Sequence, residues 1–142
     1  MRRASDRGTV TVLTIGFLIM LGLLCAVVVD ASAAYLRRQS LGALADGAAR
    51  AAADGAQGVA VYTDGLGEEA PIDPEIAQTA VDDYLDGVGA GATYSGLSWQ
   101  VSVTATTVTV RLAAPLDLPL DPAGWAGTTT VAATGSAVVQ VD

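Results

Sequence analysis

Thr9 to Val29, TVTVLTIGFLIMLGLLCAVVV, is a run of 21 residues without a charge. At about 1.5 Å of rise per residue a helix over this run spans roughly 31 Å, the thickness of a bilayer's hydrocarbon core. In lipid only a helix or a closed barrel satisfies its own backbone, and the run is too long for one barrel strand. Arg2, Arg3 and Arg7 precede it and Asp30 follows it. The positive-inside tendency therefore leaves the N-terminus in the cytoplasm and sends the rest of the chain across. Arg37 and Arg38 lie about two helical turns beyond the run, where they can face outer headgroups. Ala31-Ser32-Ala33 offers a competing reading as a secretory cleavage site. The run exceeds the usual length of a signal-peptide core, and Asp30 stands just before the triplet, so a retained anchor is the preferred reading.

The helix is expected to continue past Asp30. Residues 31–56 are rich in alanine and contain no proline, a composition that favours helix despite Gly42, Gly47 and Gly55. Leu41, Leu44, Ala45, Ala48 and Ala52 fall on one stripe at helical spacing, while Asp46, Arg50 and Asp54 share the opposite face at i, i+4 intervals. A stripe this narrow, built of small side chains, suits close packing on a sheet of the same domain or on neighbouring helices.

Beyond residue 56 the pattern is that of a small head. Gly55, Gly58, Asp64-Gly65-Leu66-Gly67 and Pro71 mark a loop, with Val59–Tyr62 at most a short strand. Asp73-Pro74-Glu75 reads as a helix start, giving a second helix over Pro74–Asp86. Its apolar face is expected to hold Ile76, Ala80, Val81, Tyr84, Leu85 and Val88, with Asp82, Asp83 and Asp86 facing outward. After a glycine-rich loop, Gly87–Gly96, the period changes to two. Leu97, Trp99, Val101 and Val103 form one half-buried strand and Val108, Val110 and Leu112 another, joined by a turn near Ala105–Thr107. Trp99 is expected in the core. Ala114–Pro122, with its prolines, reads as an extended loop that carries Trp125 either into the core or to an interface or membrane surface. Thr128–Val141 is a third strand with Gly135 as a bulge. The expected fold is α+β: a long N-terminal transmembrane and amphipathic helix, a short second helix and a three-stranded antiparallel sheet. Its parts are a basic leader (1–8), a transmembrane helix (9–29), the amphipathic continuation (30–56) and an extracytoplasmic head (57–142).

Little in the chain points to catalysis. It contains no histidine and no lysine, and its single cysteine, Cys25, lies inside the apolar run. A nucleophile with an activating base is therefore not assembled from the usual residues. None of the glycine-rich segments has the spacing of a phosphate-binding loop. Residues 55–142 hold one basic residue, Arg111, against eleven acidic ones, which repels nucleic acid. Asp64, Glu68 and Glu69, and Asp82, Asp83 and Asp86, are hard oxygen ligands in type, but their spacing does not match a calcium loop. No catalytic, metal or cofactor site is assigned, and a non-enzymatic role is expected.

The segments Arg7-Gly8-Thr9-Val10-Thr11-Val12-Leu13, Val29-Asp30, Tyr35-Leu36-Arg37-Arg38-Gln39, and Leu41 with Ala45-Asp46-Gly47-Ala48-Ala49-Arg50-Ala51-Ala52-Ala53 together resemble the N-terminal region of TadE/TadG-like proteins. These are pilin-like components of the bacterial Flp, or tight-adherence, pilus system. The resemblance covers residues 7–55. Asp30 at the membrane edge and the Leu41, Ala45, Asp46, Ala48, Ala49 pattern carry it more specifically than the apolar run does. It implies a single-pass protein of the bacterial cell membrane, a minor pilin or pilus-assembly protein related to type IV pilus and secretion machinery. Its partners would be the membrane and other pilin-like or Tad assembly proteins, met through the N-terminal helix as a homo- or hetero-oligomer. It also implies prepilin cleavage after Gly8, leaving Thr9 as the new terminus. Pilins commonly carry glutamate at the fifth mature position, and here that position is Leu13. The chain lacks the length for the large extracellular domain of TadG-like members, so a TadE-like role fits better. Gly16, Gly22, Ala26, Ala31 and Ala34 would permit close helix–helix approach in lipid. The alternative is a membrane-anchored or secreted binding module with an acidic head.

Overall fold

In the computed structural model the described residues are 5–63, 72–116 and 129–139. A single helix, α1, runs over Ser5–Thr63 and is followed by α2 (Pro74–Gly87) and a one-turn α3 (Ala90–Thr93). Three strands complete the fold: β1 (Ser98–Val103), β2 (Thr107–Leu116) and β3 (Thr129–Val138). They form one antiparallel meander in the order β1-β2-β3. The chain divides into two compact units, one holding residues 5–35 and the other residues 36–116 and 129–139.

The second unit, the head, has a core that α1 supplies in large part. Leu41, Ala45, Ala48, Ala49, Ala52 and Ala56 are buried with Ala77, Val81 and Leu85 of α2 and with Val108, Val110, Leu112 and Ala114 of β2. The alanine stripe therefore packs within its own head, and it is broader than the spacing alone predicts, since Ala49, Ala53 and Ala56 join it. Asp46, Arg50 and Asp54 are all exposed, as the opposite face requires. Small residues decide how near the elements come. A Cβ on Gly47 would overlap the Tyr84 ring and hydroxyl of α2, and one on Gly55 would lie 3.0 Å from Ala80 Cβ.

Gly135 is the corresponding point on the sheet. It pairs in register with Val110 of β2, inside an uninterrupted ladder from Thr107↔Val138 to Leu116↔Thr129. It is not the bulge that a strand glycine suggests. A Cβ there would overlap the backbone carbonyl of Ala45 and the amide nitrogen of Asp46, so glycine is what lets β3 lie directly on the α1 backbone.

Four other expectations are corrected. Val59–Tyr62 belong to α1, whose helix continues to Thr63 rather than ending near residue 56. β2 extends through Ala114 and Pro115 to Leu116, which the prolines argued against. Pairing with β1 ends at Ser98↔Ala113, so Pro115 has a strand on one side only and its missing N–H costs the ladder little. The Pro115 ring backs onto Gly96, whose φ of 75° suits glycine. The buried face of α2 is Ala77, Val81 and Leu85, whereas Val88 is 50% exposed. Trp99 is not a core residue: it is 38% exposed on the edge strand β1, and its indole N–H donates to Asp82 Oδ1 at 2.7 Å. The start of α2 is as expected, with Asp73 as N-cap accepting from the Glu75 amide at 2.8 Å. Trp125, and the acidic group Asp64, Glu68 and Glu69, lie outside the described residues.

Candidate membrane and assembly interface

Within the first unit, α1 is long and apolar enough to cross a membrane, and none of its most apolar 18-residue window is buried. Phe17, Leu18, Ile19, Met20, Leu23, Leu24, Val27 and Val28 are each more than half exposed. A surface of this kind is stable in lipid and costly in water, at about 25 cal/mol for each Å² of apolar area left hydrated. The polar residues in and beside the run are adapted to the same solvent. Thr14 Oγ1 donates to the Val10 carbonyl at 2.9 Å and Ser32 Oγ to the Val28 carbonyl at 2.7 Å, so neither hydroxyl is left unpaired. Gly16 and Gly22 have nothing within 4 Å of a built Cβ, which leaves the helix backbone open there. Cys25 is an exposed free thiol on the same surface.

The residues singled out from sequence separate into two groups. Gly8, Thr9 and Tyr35 lie on exposed positions of α1, Tyr35 with 68% of its surface free. Asp30 is partly buried and holds an interaction within the structure. Leu41, Ala48 and Ala49 are completely buried in the head. Asp46 is exposed, but its amide nitrogen is one of the atoms lying against Gly135. The Leu41 to Ala49 pattern thus has an intramolecular explanation. Leu41, Ala45, Ala48 and Ala49 face the core, Asp46 faces water, and Gly47 makes room for Tyr84.

A second cluster in the head was not legible in sequence. The Arg37 guanidinium carbon lies 4.2 Å from the centroid of the Tyr94 ring. Tyr94 is 5% exposed, and its hydroxyl shares a hydrogen bond with Ser40 Oγ, 54 positions away along the chain. Beside this cluster is a shallow, open groove of about 330 Å³ lined by Ser40, Ala43, Leu44, Tyr84, Val88 and Tyr94. Nothing in the local pattern around Tyr94, inside a glycine-rich loop, distinguishes it from a solvent-exposed tyrosine. No group of three or more potential metal ligands occurs among the described residues.

Residues 8–56 match the Tad family, described as Flp pilus-assembly TadE/G-like. The match supports a role related to pilus assembly, and it takes in the candidate membrane-crossing segment together with the part of α1 buried in the head. No curated protein and no solved structure matches the chain.

Proposed function

We propose that this is a TadE-like, single-pass membrane component of a Flp, or tight-adherence, pilus system, acting as a minor pilin or pilus-assembly protein without enzymatic activity. Its N-terminus stays in the cytoplasm and its head stands outside the membrane. The observation that carries the reading is an uncharged 9–29 surface, none of it buried, inside a segment whose family match is to pilus-assembly proteins. Because Leu41, Ala45, Ala48, Ala49 and Ala52 are taken up by the head's own core, contacts with partner helices fall to residues 9–36. Close approach there favours Gly16 and Gly22, where no side chain stands in the way.

The test is site-specific photocross-linking in the native bacterium. A photoreactive side chain at Gly22 is expected to capture pilin-like or other Tad membrane proteins. Capture of soluble or extracellular ligands through the head alone, with position 22 silent, would instead identify a membrane-anchored binding module.

A further inference from the structure

Among the described side chains the cations are Arg37, Arg38, Arg50 and Arg111, and all except Arg37 are exposed. The Arg37 guanidinium carbon sits over the Tyr94 ring, 4.2 Å from its centroid, and the Tyr94 hydroxyl is hydrogen-bonded to Ser40. Its Nε is buried with no hydrogen-bond partner. The fold has therefore spent packing on orienting a guanidinium without giving it a carboxylate among the described residues. A planar guanidinium in a fixed orientation is complementary to the paired oxygens of a phosphate.

The surrounding sequence indicates where that phosphate comes from. Arg37 follows Val29, the last residue of the apolar run, by eight positions, and Arg38 is its neighbour. No acidic residue occurs between Asp30 and Asp46, so this is a locally positive segment in a chain of net charge −8. Insertion of the apolar run brings both arginines beside the headgroup layer by connectivity alone, and basic residues so placed favour anionic lipids. We propose that Arg37, stacked on Tyr94 and flanked by Arg38, binds the phosphate of an anionic phospholipid headgroup. The inference rests on the membrane insertion proposed above.

The experiment uses the full chain. Sedimentation with phosphatidylcholine vesicles first establishes insertion, so a failure of the membrane reading is seen separately. Native mass spectrometry from detergent micelles then measures binding of phosphatidylglycerol and phosphatidylcholine. Arg37→Gln is expected to weaken phosphatidylglycerol binding about fivefold, the equivalent of one juxtamembrane charge, and to abolish the preference over phosphatidylcholine. Arg37→Lys, which keeps the charge without the planar fork, is expected to fall between the two, and Arg111→Gln to match wild type. Equal phosphatidylglycerol binding by wild type and both Arg37 variants overturns the proposal, as does an equal loss in Arg111→Gln. Displacement of the lipid by millimolar inorganic phosphate would assign the site to free phosphate and overturn the lipid assignment. Loss of self-association in Arg37→Gln, with lipid binding unchanged, would assign it to an acidic group of a second copy.

Discussion

Replacing Gly135 by alanine tests the way β3 and α1 meet. A glycine inside a strand is normally a weakness, and alanine there would ordinarily gain about 0.5–1 kcal/mol. Here the added methyl meets the backbone of Ala45 and Asp46, not the movable end of a side chain. Relief by moving β3 is blocked by its ladder to β2, in which Gly135 faces Val110 between paired neighbours on both sides. Relief by moving α1 is blocked because Leu41, Ala45, Ala48 and Ala49 are fully buried. Overpacking of a core costs roughly 1–3 kcal/mol, and with no flexible group to give way the upper end applies. For a head of this size, about 3 kcal/mol corresponds to a fall in Tm on the order of 12–24 °C. The assay is thermal unfolding of the full chain in detergent, followed by near-ultraviolet circular dichroism, which reports the environment of Trp99 and the tyrosines. Gly42→Ala is the control: nothing lies within 4 Å of its added methyl, so Tm should rise. That gain is about 0.5–1 kcal/mol, or roughly 2–8 °C. A Gly135→Ala protein that melts within 2 °C of wild type, or above it, would refute the close backbone contact (about 0.5 kcal/mol or less).

Other consequences follow from the same packing. Leu112→Ala removes a fully buried side chain at the centre of the middle strand and should cost about 2–5 kcal/mol by the same melt. Asp73→Ala removes the cap that accepts from the Glu75 amide; a loss of about 1 kcal/mol is expected, and Asp73→Asn should recover most of it. Trp99→Phe keeps an aromatic ring, though a smaller one, and deletes the bond to Asp82, which also accepts from Gln78 at 2.9 Å. On this half-exposed edge the change should cost about 0.5–1.5 kcal/mol, with Asp82→Asn adding little further in the double variant.

The parts of the fold most legible in sequence were those in which one pattern serves one purpose. The uncharged run marks the first half of α1 as a helix long and apolar enough to cross a membrane, and the structure leaves that stretch unburied. Asp73-Pro74-Glu75 marks the start of α2 through its own local bonds, and alternation through Val108, Val110 and Leu112 marks the buried face of β2. Legibility fails where a residue answers to a distant neighbour. Gly135 is ambiguous between a bulge and a close approach until α1 is placed over it. Pro115 reads as the end of a strand until pairing with β1 is found to stop at Ala113. Trp99 looks like core by size and alternation, yet edge position and the Asp82 carboxylate hold it half outside. The Arg37–Tyr94–Ser40 cluster joins residues far apart in sequence and has no local signature at all.

The central claim is that α1 is one retained element, its first half lodged in a membrane and its second half forming the core of the head. Determining the N-terminal residue of the mature protein, purified from the membranes of its native cells, tests this most directly. The account predicts a terminus at or before Thr9, with the protein resisting extraction by alkaline carbonate; a start at Thr9 itself would identify prepilin-type processing despite Leu13. A terminus at Ala34, with the head released in soluble form, would mean the apolar segment is discarded, and would contradict the account.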